Sequence, residues 1–153
     1  MANQQVPIHG GALEWAELSL LVEGLAYGAR PIYEGAREVT ERYGLGPRGA
    51  FLLNLVQEGV CFPDRLAETL KTLPSLITAD LARLKEAGLV NAAPDPQDRR
   101  RSRLALTETG AQACNTVRGN IARIVCDNLS AYSPDQQRLF TEMLAAVRRL
   151  PER

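Results

Sequence analysis

Apolar residues in the first third of the chain recur alternately three and four apart: Trp15, Leu18, Val22, Leu25, Ala29, Ile32, Ala36, Val39 and Tyr43. That is the a/d repeat of a helix seam held for about four heptads, and it predicts a long helix over 12–43. Pro31 falls inside it and removes the bond to the Tyr27 carbonyl, so a kink is expected there rather than an end. A helix of this length has more apolar edge than one small core can cover, which points to packing against another subunit.

Gly44-Leu45-Gly46-Pro47 stops that helix, and Pro47 suits the first turn of the next, which carries Phe51, Leu52, Leu55 and Val56. Gly59 ends it, and Val60-Cys61-Phe62 has room for a very short strand. Pro63 opens a short helix from Asp64 to about Leu70. After Lys71-Thr72-Leu73, Pro74 opens another, with Ile77, Leu81 and Leu84 at helical spacing and Gly88 at its end. Leu89–Ala93 and Ser102–Leu106 read as two strands around the turn-rich tip 94–98, a β-hairpin. A further helix begins near Thr107 with the stripe Cys114, Val117, Ile121, Ile124 or Val125, and Cys126 or Leu129. Ser133-Pro134 caps the last, which carries Leu139, Phe140, Met143, Leu144 and Val147.

The fold class expected is therefore mainly α with one small β-hairpin: a winged helix-turn-helix with N- and C-terminal dimerisation helices. Residues 1–11, ending at Gly10-Gly11, read as a flexible tail. Residues 12–153 form one domain, in which 12–43 and 107–150 are the dimerisation helices and 47–106 the winged lobe. Two short helices joined by a tight turn and followed by a basic hairpin form a DNA-reading device. The second helix enters the major groove while the hairpin reaches phosphate or the minor groove.

Charge bears on this locally rather than globally. The 153 residues balance 18 basic against 18 acidic side chains, whereas a nucleic-acid binder usually has a basic excess. Between Asp95 and Arg103, however, four arginines (99, 100, 101, 103) face two aspartates (95, 98). Cys61, Cys114 and Cys126 are odd in number and form no Cys-x-x-Cys. With no signal peptide or membrane-length apolar run, the cytoplasm is the expected compartment. Cys114 and Cys126 stand about 18 Å apart along one helix and cannot bridge; buried inert thiols are the expectation. His9 is the only histidine, so no zinc set, other metal site or cofactor is expected. No nucleophile–base pair or carboxylate pair marks an enzyme.

The order of motifs resembles the multiple-antibiotic-resistance regulator (MarR) family. The resemblance runs from Gly44-Leu45-Gly46-Pro47 through Leu84-Lys85-Glu86-Ala87-Gly88-Leu89-Val90. It continues into Asp95-Pro96-Gln97-Asp98-Arg99-Arg100-Arg101 and Leu104-Ala105-Leu106-Thr107-Glu108-Thr109-Gly110. It implies a triangular homodimer on pseudo-palindromic double-stranded promoter DNA, usually a repressor relieved by a small ligand or oxidant. Carried over by position, Asp98 and Arg100 would brace the wing, and Arg99, Arg101 and Arg103 would contact DNA. Gln97 stands where many members have arginine. On the recognition helix Ser75 and Thr78 are candidates for base or phosphate contact and Ala79 for a thymine methyl. Arg65 is a candidate phosphate contact, and Asp80 is expected to face away.

Tyr27, Arg30 and Tyr33 surround the kink, and a guanidinium between two phenols suits a small aromatic acid, so these three are the candidate effector site. No cysteine stands in the first helix, so the family's usual oxidant sensor does not transfer. A second reading stays open: a dimeric small-molecule-binding or scaffold protein with a weakened DNA face, because the recognition helix offers few long donors.

Overall fold

In the computed structural model, which describes residues 14–147, the seam over 12–43 is split into α1 (Trp15–Tyr27) and α2 (Arg30–Arg42). Pro31 sits in the first turn of α2 and has no N–H for the Tyr27 carbonyl, so the helical ladder opens there. Gly28 and Ala29 keep right-handed helical angles between the two, but α1 ends at Tyr27 and α2 starts afresh at Arg30, so the expected kink in one long helix is a break between two. A β-carbon on Gly28 would stand 2.7 Å from the Gly24 carbonyl oxygen, so only glycine lets the chain close this tightly. The 1–11 tail, His9 and residues 148–150 lie outside the described residues.

Three successive helices each begin at a proline: α3 (Pro47–Gln57), α4 (Pro63–Thr69) and α5 (Pro74–Glu86). The first helical position needs no N–H and favours the fixed φ of proline. The α4–α5 turn places Lys71 in the left-handed region at φ 47°. Gly88, at φ 68°, turns the chain from α5 into β1 (Val90–Pro94), which pairs antiparallel with β2 (Ser102–Leu106) from Val90↔Leu106 to Pro94↔Ser102. Val60-Cys61-Phe62 is not a strand. It lies extended beside the hairpin through one bond, from the Leu104 N–H to the Cys61 carbonyl at 2.8 Å.

Leu52 and Leu53 of α3, Leu66 of α4, Ile77 and Leu84 of α5, and Leu89, Val90 and Leu104 of the hairpin region are fully buried together. The near half of α6 (Glu108–Asn128) closes this core with Cys114 and Val117. Further along, Ile121, Ile124 and Val125 are all half-buried, and of the last pair Leu129 is half-buried while Cys126 is exposed. α2 crosses α6 at Gly35, where a β-carbon would come within 2.6 Å of Ile121. α7 (Pro134–Val147) starts with a reciprocal cap: the Ser133 N–H donates to Gln136 Oε1 at 2.8 Å and the Gln136 N–H to Ser133 Oγ at 3.3 Å.

The joint between the hairpin and α6 is tight. Thr107 Oγ1 donates to the Gly88 carbonyl at 2.7 Å and accepts from the Gly110 N–H at 2.9 Å. The Thr107 N–H bonds the Leu89 carbonyl at 3.0 Å. A β-carbon at Gly110 would lie 1.9 Å from that same carbonyl oxygen. The helix therefore starts directly on the backbone that leaves α5.

Neither α1 nor α7 buries a single described residue. Trp15, Val22 and Leu25 on α1 and Leu139, Phe140 and Met143 on α7 are instead exposed.

Candidate nucleic-acid interface

α5 turns Ile77, Asp80, Leu81 and Leu84 inward and leaves Ser75, Leu76, Thr78 and Ala79 exposed along its first two turns. Thr78 Oγ1 donates its proton to the Pro74 carbonyl at 3.0 Å. The hydroxyl can accept a bond from outside but has to break that contact to donate. Asp80 is buried, as its expected orientation requires. Arg48 Nε of α3 donates to Asp80 Oδ2 at 2.7 Å, and Arg83 Nη1 stands 3.8 Å from Oδ1. This lock between α3 and α5 was not anticipated; a lone acid inside a helical stripe carries no sequence sign of its partner.

On the wing, Asp98 begins a tight turn. The Arg101 N–H closes onto its carbonyl at 2.9 Å, and the Arg100 N–H donates to its Oδ1 at 3.0 Å. The arginine assignments need correction. Arg101, expected to be an outward contact, is the side chain that braces the wing. Its Nη2 donates to both Asp64 carboxylate oxygens, at 2.9 and 3.1 Å, and its guanidinium lies 4.0 Å from the Phe62 ring centroid. Arg100, expected to brace, is exposed. Among the described residues Arg99, Arg100 and Arg103 enter no ion pair; Arg65 is paired with Glu68 at 2.8 Å, with both side chains well exposed.

Desolvation is the largest single influence on the Asp64 carboxyl and pushes it up. The Arg65 backbone N–H and the charge and hydrogen bonds of Arg101 outweigh that and hold it below the ordinary carboxylate value.

The three residues around Pro31 do not form one site. Arg30 stacks on Tyr27 at 4.3 Å, while Tyr33 meets Phe51 edge-on with centroids 6.1 Å apart. Tyr27 and Tyr33 are about half exposed. None of the three lines the main cleft between the helices and the winged lobe. That cleft, about 420 Å³, lies between α2, α3 and α6, with Phe51, Asn54, Cys114, Val117, Arg118 and Ile121 among its walls. Its one cationic wall residue, Arg118, donates through Nε to Asn54 Oδ1 at 2.9 Å and pairs with Glu58. Burial pushes the Cys114 thiol up, with Arg118 opposing. Arg118 and Asn54 look like solvated positions in the sequence; only the helix crossing brings them to one wall.

These elements define a winged helix-turn-helix lobe carried on long helices. Protein-family models give no match to the chain, and no curated protein matches it by sequence. The fold itself is shared with MarR-family regulators of known structure. A MarR family protein from Bacillus stearothermophilus superposes with a TM-score of 0.71 at 21% identity, over 89% of this chain and 96% of the other. A MarR transcriptional regulator from Methanosarcina mazei Go1 gives 0.70 at 22% identity, over 84% and 94%. A MarR variant from E. coli, solved in complex with operator DNA, gives 0.68 at 19% identity, over 88% and 98%. No helix among the described residues is long and apolar enough to cross a membrane.

Proposed function

We propose that this protein is a non-catalytic DNA-binding transcriptional regulator of the MarR type, working in the cytoplasm as a homodimer on a pseudo-palindromic promoter site. The observation that carries the reading is the pairing of an exposed α5 N-terminal half with a wing whose Arg99, Arg100 and Arg103 have no acidic partner among the described residues. In this device α5 enters the major groove and the wing arginines meet phosphate or the minor groove. Arg65 adds a phosphate contact by exchanging Glu68, since an exposed ion pair is worth little. The exposed apolar sides of α1 and α7 support a second copy as their cover.

Repression relieved by a small ligand completes the proposal. The α2–α3–α6 cleft supports a small, mainly apolar acid, with Arg118 as its cation. It is a better seat than Tyr27, Arg30 and Tyr33, because none of those three lines this cleft, although Arg118 would have to exchange Glu58 for the acid.

Binding of the purified protein to duplexes from its own upstream region, followed as salt rises, tests the main claim. A log–log slope of about −0.9 per neutralised phosphate is expected. No binding at low salt by a folded dimer would refute it and leave the scaffold reading. An acid screen read by DNA release, repeated with Arg118→Ala, tests the cleft; equal release from parent and variant would exclude Arg118.

A further inference from the structure

We infer that α5 reads its site chiefly through the C5-methyl groups of thymine, with Leu76 and Ala79 as the specificity-determining side chains and Leu73 flanking them. This rests on the DNA-binding reading above and adds to it the chemistry of the bases selected.

Four observations carry it. First, α5 has no Asn, Gln, Lys or Arg in its first two turns, the side chains that make bidentate contacts to purines. Second, the polar residues there are nearly spent as donors: Thr78 gives its proton to the Pro74 carbonyl, and Ser75 alone keeps a free short hydroxyl. Third, the arginines on and beside the helix share an acid: Arg48 lies 2.7 Å and Arg83, in the last turn of α5, 3.8 Å from buried Asp80, which offsets their charge near the helix. Fourth, leucines stand in water at the start of the helix, Leu76 in its first turn and Leu73 at its N-cap. Leu73 is 65% and Leu76 39% exposed, while Ile77, Leu81 and Leu84 of the same helix are packed away.

An apolar surface gains only where it covers another apolar group. In the major groove the edges of the four bases offer one such group, the thymine methyl. The wing complements this, because its free arginines supply charge that holds the protein on any sequence. Sequence choice is then left to the methyl contacts.

The test begins with selection of a preferred half-site from a random duplex pool. Its thymines are then replaced by uracil, which removes the methyl and leaves every hydrogen-bonding group in place. Each contacted methyl is expected to cost about threefold to fivefold in affinity, the worth of burying one such group. Full replacement is expected to cost tenfold or more. Leu76→Ser should weaken binding to the thymine duplex and bring the thymine/uracil ratio close to one, with the melting curve unchanged because the position is exposed. Arg103→Ala should weaken both duplexes alike and keep the ratio. Equal affinity for thymine and uracil duplexes within twofold would overturn the inference while leaving the protein a DNA binder. Absence of any duplex binding would remove the regulator reading itself, and the inference with it.

Discussion

Arg48 at the start of α3 and Asp80 in the middle of α5 form an ion pair of 2.7 Å in which the acid is buried and the base is half exposed. The two ends are therefore unequal. Removing the arginine strands a buried carboxylate with only Arg83 at 3.8 Å, whereas removing the acid leaves a guanidinium that water can reach.

Arg48→Ala is accordingly expected to destabilise the fold by about 2–4 kcal/mol and Asp80→Asn by about 1–2 kcal/mol. Denaturant unfolding of both variants measures the difference. Equal losses would mean that the pair is not asymmetric in the way its burial requires.

The wing arginines should separate into two behaviours. Arg99→Ala and Arg103→Ala are expected to weaken DNA binding uniformly across sequences and to lower the salt slope by about one each. Arg101→Ala should instead loosen the hairpin, seen as faster exchange of the Asp95 N–H, which bonds the carbonyl of position 101 across the hairpin. Filter binding at several salt concentrations and hydrogen exchange report the two effects separately.

The Asp64–Arg101 brace also sets a pH limit. Because the folded carboxyl lies below its ordinary value near 3.8, the contribution is complete above that value. It is lost as pH falls through the lower folded value. Wing geometry is expected to be unchanged from neutrality to about pH 5 on this account. A carbonyl-carbon titration of Asp64 by NMR checks it, and a midpoint above the ordinary value would contradict the pairing.

The three thiols should react in the order of their exposure. Cys126 is open, Cys61 partly covered and Cys114 buried, and burial raises the Cys114 pKa above the ordinary 9.0. Timed alkylation with mass spectrometry is expected to label Cys126 first and Cys114 only with unfolding. Since the folded Cys114 value is raised, its effect on stability is absent at neutral pH. It appears as a loss above about pH 9, where the unfolded thiol ionises first.

Gly110→Ala is expected to cost about 3 kcal/mol or more, because the added carbon would overlap the Leu89 carbonyl and neither backbone can yield cheaply. Gly119→Ala, on the same helix with nothing within 4 Å of its would-be β-carbon, serves as the control. It should gain about 0.5–1 kcal/mol from helix propensity. Thermal melts of the two variants should move in opposite directions.

Much of this architecture was legible in the residues. Pro47, Pro63 and Pro74 mark three helix starts, Gly88 marks the exit from α5, and the turn-rich tip locates the wing, since each acts through local backbone chemistry. The misplaced brace shows where local chemistry stops. Whether Arg100 or Arg101 points back depends on how Asp98 folds the turn and on Asp64, 37 residues earlier. Arg118 escaped for a similar reason, since its partners Asn54 and Glu58 lie on α3 and at its C-terminal cap. The disturbance at Pro31 was readable, but its depth, a full break between Tyr27 and Arg30 closed tightly at Gly28, was not, because it depends on the Gly24 carbonyl.

The joint of Thr107 and Gly110 against Gly88 and Leu89 gives α6 the mechanics of a rigid tiller. Its 21 residues extend about 30 Å from that joint at 1.5 Å per residue, and the cleft opens partway along. With a hydroxyl bond, a backbone bond and a glycine contact pinning the near end, α6 cannot pivot freely against the strand that leaves α5. If the chain acts on DNA as proposed, a change of tilt where α2 crosses at Gly35 would reach the base of the wing as a turn of the whole hairpin, with no part of the fold unfolding.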